Sequence, residues 1–232
     1  KGALNNSGKL LSQGALTTTA TDVINSGSWQ ASTITLTGNS LNNTGALQSA
    51  NSLQLTLEQS LTGAQNSKIT ALGEMTLDAA ALDNAGLWSA STVTLSGDSL
   101  KNSGEISGVN GLDIDLAGKL TQQGKLLTGG SLNIGTTALT NSGQIQGNQS
   151  TVKAKTLENS GRLQGNTLTL ALIQALTNQA SGTILSQKTL NVTAPQLIND
   201  GVMQGNGITT LTANQKTVNN GRLLSGSDLT LT

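Results

Sequence analysis

The chain of 232 residues carries 12 Lys and Arg against 12 Asp and Glu, and its formal net charge of zero gives no reason to expect a nucleic acid or an anionic membrane as partner. It contains no His and no Cys, which excludes Ser-His-Asp and Cys-His nucleophiles, disulfide bonds and thiolate metal sites. With two Trp as the only aromatic residues and an apolar fraction of 35%, any core is narrow and filled by Leu, Ile, Val and Ala.

One short unit recurs from one end of the chain to the other: Leu-x-Asn-x-Gly, followed two residues after the glycine by an apolar side chain. Seven clean copies begin, in chain order, at Leu4, Leu41, Leu82, Leu100, Leu139, Leu157 and Leu197. Five weaker copies begin at Val23, Leu61, Leu120, Leu176 and Val218, which makes twelve. The marker glycine of the unit, replaced once by Ser67, returns every 18 to 22 residues. The period is therefore about 19 residues.

Two further features of each copy predict β-strands that face a common interior. The residue two places after the marker is apolar in all twelve copies: Leu10, Trp29, Leu47, Ile69, Trp88, Ile106, Leu126, Ile145, Leu163, Ile184, Met203 and Leu223. Most copies then carry a second run with a period of two, such as Ile34-Thr35-Leu36 or Leu190-Asn191-Val192. The sequence disfavours an α-helix, because no stretch sustains helical spacing of apolar residues and a glycine interrupts almost every copy.

A unit of this size cannot bury its apolar face alone, so the copies must stack, with equivalent strands pairing in parallel at a spacing of about 4.8 Å. We therefore predict an all-β fold, a right-handed parallel β-helix of about twelve coils that forms a rod on the order of 55 Å long. The rival fold, a leucine-rich horseshoe, requires a different leucine spacing. Because both ends stop in mid-pattern, we expect residues 1–232 to be a single array that is a fragment of a longer filament.

Stacking places equivalent residues above one another, and this predicts a structural ladder of buried asparagine amides along the rod. The ladder residues lie two places before the marker: Asn6, Asn25, Asn43, Asn84, Asn102, Asn141, Asn159, Asn199 and Asn219, with Gln65 and Gln122 as substitutes. The marker glycines are expected to have a positive φ at the corner, and Ser67 predicts a different corner there. Trp29 and Trp88 are interpreted as inward fillers rather than as a carbohydrate platform.

The array of Leu-x-Asn-x-Gly-x-apolar units resembles the haemagglutinin repeats of filamentous haemagglutinin and of CdiA-type contact-dependent growth inhibition exoproteins. The resemblance covers essentially the whole chain. It implies a filament that leaves the cell by two-partner secretion, through a dedicated outer-membrane transporter, and is displayed on the surface of a Gram-negative bacterium. It also implies adhesion or delivery of a C-terminal toxin, with a receptor on a neighbouring bacterial or host cell as partner. Neither the secretion domain nor the toxin domain of that family matches here, so the matching part is the filament stem.

No cluster of residues suggests a chemical site. Asp113 and Asp115 alternate on one outward strand face, and Lys153 and Lys155 do the same, so both pairs are interpreted as solvated surface. We therefore predict no catalytic, cofactor-binding or metal-binding residue and no small-molecule substrate. The enzyme alternative, a polysaccharide-cleaving β-helix, would need a carboxylate cluster that the sequence does not display.

A second hypothesis makes the segment itself a receptor-binding adhesion module. Two copies are longer than the rest, around residues 64–68 and 178–183, and inserted residues that interrupt the stack are expected to protrude. Thr also recurs at the outward centre of the second strand, as on an ice-binding face, at Thr35, Thr76, Thr94, Thr169, Thr209 and Thr230. Other residues interrupt that column, and strand propensity explains it better.

Overall fold

The computed structural model describes residues 2–232, and all regular secondary structure in that range is β-strand. The strands are β1 Leu4–Asn6, β2 Lys9–Leu11, β3 Ala15–Thr19, β4 Asp22–Asn25, β5 Ser28–Ala31, β6 Thr33–Asn43, β7 Ala46–Ser49, β8 Leu53–Gly63, β9 Lys68–Ala71, β10 Glu74–Asn84, β11 Leu87–Gly97, β12 Ser99–Asn102, β13 Glu105–Leu116, β14 Lys119–Gln122, β15 Lys125–Thr128, β16 Ser131–Gly135, β17 Ala138–Asn141, β18 Gln144–Asn159, β19 Arg162–Asn178, β20 Thr183–Thr193, β21 Gln196–Asn199, β22 Val202–Gly205, β23 Thr209–Thr212, β24 Lys216–Asn219, β25 Arg222–Ser225 and β26 Leu229–Leu231. Between residues 2 and 232, no helix is long and apolar enough to span a bilayer.

The strands stack in three columns, which form the three sides of each coil. Side one holds the segments that end at the ladder position, as β1 and β4 do. Side two holds the segments that follow the marker, as β2 and β5 do, and side three holds the alternating runs, as in β3 and the first half of β6. Each segment pairs in parallel with its equivalent in the next coil. The predicted parallel β-helix of about twelve coils is confirmed.

We number the coils 1 to 12 from the N-terminus, each running through sides one, two and three in that order. Coils 4, 7 and 8, for example, span residues 60–80, 119–137 and 138–155. Some strands continue around a corner without a break, and β18 and β19 each run through all three sides.

The core is a narrow apolar interior enclosed by the three sides. Of the twelve apolar residues that follow the marker, ten are buried, including Trp29 and Trp88 at 0% exposure. Leu10 and Leu223 are half-buried, because each lies in an end coil that only one neighbouring coil covers. The prediction that this column and both tryptophans face inward is confirmed. Burial of such side chains stabilises the rod by about 1.5–3 kcal/mol each relative to exposure.

The marker glycines are required for a reason different from the predicted one. The prediction of a positive φ was wrong, since the only glycine with a positive φ among the described residues is Gly97, which is not a marker. Instead, the coils approach each other closely at this corner. A Cβ on Gly45, Gly124 or Gly161 would lie well inside van der Waals contact with the carbonyl oxygen of the marker glycine in the preceding coil. Glycine is selected here by contact between coils rather than by its own dihedral angles.

One outward assignment was also wrong. Thr209 pairs with Leu190, which points inward, and Thr210 pairs with the outward Asn191. Thr209 is accordingly buried, and its hydroxyl has no hydrogen-bond partner. In coil 11, the alternation of inward and outward side chains is displaced by one residue from the prediction. Ile208 lies in the corner before the strand, and the strand begins at Thr209.

Candidate functional site

The column of asparagines lies at the end of side one, where the chain turns toward side two. Every predicted asparagine from Asn25 to Asn199 is buried, whereas Asn219, in the last coil, is exposed. The register aligns each of them with the equivalent position of the next coil, as for Asn6 with Asn25 and Asn25 with Asn43. A buried amide stabilises a fold only when its donors and acceptors are paired. The hydrogen bonds of the column therefore determine how much it contributes to stability.

Each amide donates toward the C-terminal end of the rod. The Nδ2 group donates to the side-chain carbonyl of the next coil, at 2.7 to 2.9 Å, in the pairs Asn6–Asn25, Asn25–Asn43, Asn84–Asn102, Asn141–Asn159, Asn159–Asn178, Asn178–Asn199 and Asn199–Asn219. Most of these Nδ2 groups donate a second bond to the backbone of the next coil, as Asn141 does to the carbonyl of Arg162. The column therefore links neighbouring coils through both side chains and backbone.

One member of the column is a glutamine, and one asparagine of the column was not predicted. Gln122 accepts from Asn102 at 2.8 Å, but its longer side chain donates to the backbone carbonyl of Gln144 instead of to Asn141. Asn178 completes the column in coil 10 and was not among the predicted residues. The signal was present in the Leu176-Thr177-Asn178 triplet, which keeps the Leu-x-Asn spacing. Because the extra residues of this coil lie between Asn178 and the marker Gly182, Asn178 is not two places before the marker.

The column is broken at coil 4, and the prediction for Gln65 was wrong. Gly63 pairs with both Asn43 and Asn84 and so occupies the ladder position without a side chain. Gln65 lies in an exposed turn, because the two extra residues of this coil are placed after the strand. The turn closes with a bond from the backbone N–H of Ser67 to the carbonyl of Ala64, at 3.0 Å. The prediction of a different corner at Ser67 is confirmed.

The break leaves two buried polar atoms without partners, the hydroxyl of Ser67 and the indole Nε1 of Trp88. Both face the space beside Gly63: a Cβ there would lie 2.9 Å from Trp88 Nε1 and 3.3 Å from Ser67 Oγ. The indole of Trp88 thus lies beside the position where the missing amide would stand. Since an unpaired buried polar group costs roughly 1–3 kcal/mol, these two atoms lower the stability of the stack at this coil.

We expect the ladder to be restorable at coil 4. Gly63→Asn alone should be destabilising, because the new side chain meets the indole of Trp88. In the background of Trp88→Ile, which provides space, Gly63→Asn should raise the free energy of unfolding by about 1–2 kcal/mol, because the amide can bond to the coils on either side. Urea unfolding of the four proteins in this cycle measures the coupling. Equal effects of Gly63→Asn in both backgrounds would contradict the assignment of the gap to the indole.

The outward charged pairs lie on side three and belong to no metal cluster. Asp113 and Asp115 are exposed in coil 6, and Lys153 and Lys155 are exposed in coil 8. Among residues 2–232, no three of the carboxylate, His or Cys side chains gather closely enough to hold a metal ion. The two long turns lie on one edge of the rod: residues 64–67 and residues 179–182, the latter closed by a bond from Gly182 N–H to the Gln179 carbonyl at 2.7 Å.

The stacked units also match a family model. The model, described as the haemagglutinin repeat, matches residues 89–171 and 151–232, which together cover more than half of the chain. The chain belongs to the haemagglutinin-repeat family. In these haemagglutinin repeats, each residue of the Leu-x-Asn-x-Gly unit makes a different contact between coils. The leucine packs in the core, the asparagine amide bonds along the column, and the glycine lets two coils approach at a corner where a side chain would not fit.

Curated relatives of these haemagglutinin repeats are much longer proteins. The chain is 53% identical over 204 residues to a tRNA nuclease CdiA from Escherichia coli strain STEC_O31, covering 80% of this chain and 6% of that protein. It is 42% identical over 231 residues to a tRNA nuclease CdiA from Escherichia coli strain NC101, covering 99% of this chain and 7% of that protein. A 16S rRNA endonuclease CdiA from Enterobacter cloacae is 44% identical, over 87% of this chain and 6% of that protein. No solved structure matches.

Proposed function

We propose that this chain is a stretch of the stem of a secreted bacterial surface filament, which extends and presents adhesive or toxin-delivering parts to a target cell. The observation that carries the proposal is the uninterrupted stack, in which every coil adds about 4.8 Å of length. The membership of the chain in the haemagglutinin-repeat family and its small share of the CdiA relatives support the same conclusion.

We also propose where this filament lies in the cell and which partners it contacts. The filament is displayed on the surface of a Gram-negative bacterium, after export through a dedicated outer-membrane transporter, and other regions of the longer protein contact the receptor on the neighbouring bacterial or host cell. A chain without cysteine suits passage through an oxidising envelope compartment. We propose no catalytic, cofactor-binding or nucleic-acid-binding role for the stem, and the nuclease activities in the relatives' names are assigned to other parts of those proteins.

The test replaces the matched stretch of the Escherichia coli STEC_O31 relative by this chain and measures growth inhibition of target bacteria in co-culture. We expect inhibition within about twofold of the unmodified protein, because the replacement preserves coil geometry and length. In a matched control, a Gly/Ser linker of about 100 residues replaces the stretch, since its root-mean-square length equals that of the rod without its stiffness. We expect that control to lose most inhibition at equal secretion. Full activity of the linker variant would exclude a rigid stem function.

The same chimera tests the adhesion-module hypothesis. The turns at residues 64–67 and 179–182 are shortened to the length of a standard coil, and the labelled chain is offered to bacterial and animal cells. For a stem, we expect no saturable binding by either version and undiminished inhibition by the trimmed chimera. Saturable binding that disappears on trimming would instead make this segment a receptor-binding module.

A further inference from the structure

From coil 3 to coil 11, the charges on side three, and on the corner that leads from it to the next coil, are sorted by sign along the rod, whereas coil 12 carries Asp228 just before its strand. Coils 3 to 6 carry only carboxylates there: Glu58, Glu74, Asp78, Asp98, Asp113 and Asp115. Coil 7 carries no charge on this side, and coil 8 carries Lys153 and Lys155. Three more lysines border this side: Lys119 just after coil 6, Lys188 just before its strand in coil 10 and Lys216 just after coil 11.

Within residues 2–232, these charges form no ion pair. The ion pairs formed by the described residues are Lys101 with Asp83 at 3.9 Å and Lys125 with Glu105 at 3.4 Å, on sides one and two. All eleven charged residues of the side-three set are exposed. The carboxylates at one end and the ammonium groups at the other are therefore free to pair with a second surface. Such a surface would carry basic groups opposite the carboxylates and acidic groups opposite the lysines.

We propose that side three is a self-association surface, on which two copies of this chain pack antiparallel about a two-fold axis at coil 7. If the axis is parallel to the strands, a residue faces residues of the second copy at the same position along the strand. Coil 6 of one copy then faces coil 8 of the second copy, coil 5 faces coil 9, and coil 4 faces coil 10. Asp113, Asn133 and Thr151 share one position along the strand, as Asp115, Gly135 and Lys153 share another. Asp115 of one copy thus faces Lys153 of the second, and the symmetry repeats the pair.

The same axis brings three more carboxylates near lysines of the second copy, whereas Asp113 faces Thr151 and Asp78 faces Thr193. Glu74 in coil 4 faces the start of the strand in coil 10, beside Lys188, and Asp98 lies one coil from Lys155 of the second copy. Glu58 in coil 3 faces the corner that ends at Lys216. In a parallel arrangement, with the axis along the rod, each coil that carries carboxylates would instead face the same coil of the second copy. Like charges placed against each other are repelled, so the charge order selects the antiparallel arrangement.

The centre of this surface is shaped for close approach. Gly135 has no side chain, and Asp115 leans over it toward coil 7, with Oδ1 3.1 Å from the position that a Cβ of Gly135 would take. Side three over coils 3 to 11 offers about 700 Å² per copy, close to the roughly 800 Å² per partner of a standard interface.

The direction of pairing has a consequence that rests on the proposed stem function. Filaments from one cell project the same way, so antiparallel contacts form between filaments of two facing cells. Pairing itself is tested on the isolated chain, and its failure would leave the stem proposal intact.

Charge reversal tests the ion pairs. Sedimentation equilibrium is expected to show a dimer that weakens by at least about tenfold when ionic strength rises from about 0.05 M to about 0.5 M. Asp115→Lys and Lys153→Asp should each weaken association by at least about tenfold, and the variant carrying both changes should recover it. Unchanged melting of each variant shows that folding is intact. A monomeric wild-type chain, or a double variant as weak as the single ones, would overturn the proposal.

Cross-linking tests the axis, using the absence of native cysteine. Asn133→Cys lies on the axis, and a bismaleimide of about 10 Å should link two copies. Thr94→Cys in coil 5 should not link to itself, because its equivalents are separated by about 19 Å, but it should link to Thr169→Cys in coil 9 of the second copy. Self-linking of Thr94→Cys indicates parallel packing, and no linking by Asn133→Cys indicates end-to-end association or none. Either result rejects the proposal.

Discussion

Replacing Asn159 by Ala is expected to lower the free energy of unfolding by about 3 kcal/mol, a large effect for one polar residue. Asn159 accepts from Asn141 at 2.7 Å and donates to Asn178 at 2.8 Å. Its removal leaves a buried donor on one neighbour and a buried acceptor on the other, with no access to water. The coupling between coils 8 and 10 should fall with it. Urea unfolding followed by circular dichroism measures the loss.

The matched control for Asn159 is Asn219, which occupies the same column in the last coil. Asn219 is exposed and accepts a single bond, from Asn199 at 2.7 Å. We expect Asn219→Ala to cost less than about 1 kcal/mol, since water can replace the lost partner. Hydrogen exchange should show faster opening of β18 and β19 in Asn159→Ala only. Equal effects of the two substitutions would mean that the buried ladder adds no specific stability.

Replacing Gly161 by Ala is expected to cost about 3 kcal/mol or more, although the substitution adds a single methyl group. The new Cβ would collide with the carbonyl oxygen of Gly143, a backbone atom that cannot rotate away. That corner also carries the bond from Arg162 N–H to the Gly143 carbonyl at 2.8 Å, so moving the coils apart breaks pairing as well. Thermal and urea unfolding should both show the loss.

Gly8 provides the control, because it is the marker of coil 1. Nothing lies within 4 Å of a Cβ built on Gly8, and its φ is not positive. Gly8→Ala should therefore be neutral or stabilising by up to about 1 kcal/mol, through the lower entropy of the unfolded chain. A large loss in Gly8→Ala, or none in Gly161→Ala, would show that the marker glycine is required for its own conformation rather than for contact between coils.

Most of the fold could be predicted from the repeat. The apolar column from Trp29 to Met203 and the alternating strands follow from periods of about 19 and two residues, which leave few ways to bury the apolar side chains. The asparagines that the sequence aligned do lie in one column, because parallel stacking superimposes equivalent residues. Errors in assigning residues to the ladder, at Gln65 and Asn178, arose where a coil has extra residues. The repeat count gives their number but not the side of the strand on which they lie.

By itself, the sequence determined the β-helical class, the number of coils and the composition of the core, because these depend on periodicity along one chain. Only the tertiary structure decided that Gly63 rather than Gln65 stands in the ladder, that Thr209 points inward, and that the marker glycines serve close approach. It also decided that the carboxylates of coils 3 to 6 and the lysines of coil 8 share one side. The physical reason is register: an insertion is placed where it preserves pairing and burial against both neighbouring coils, and those contacts exist only in the stack.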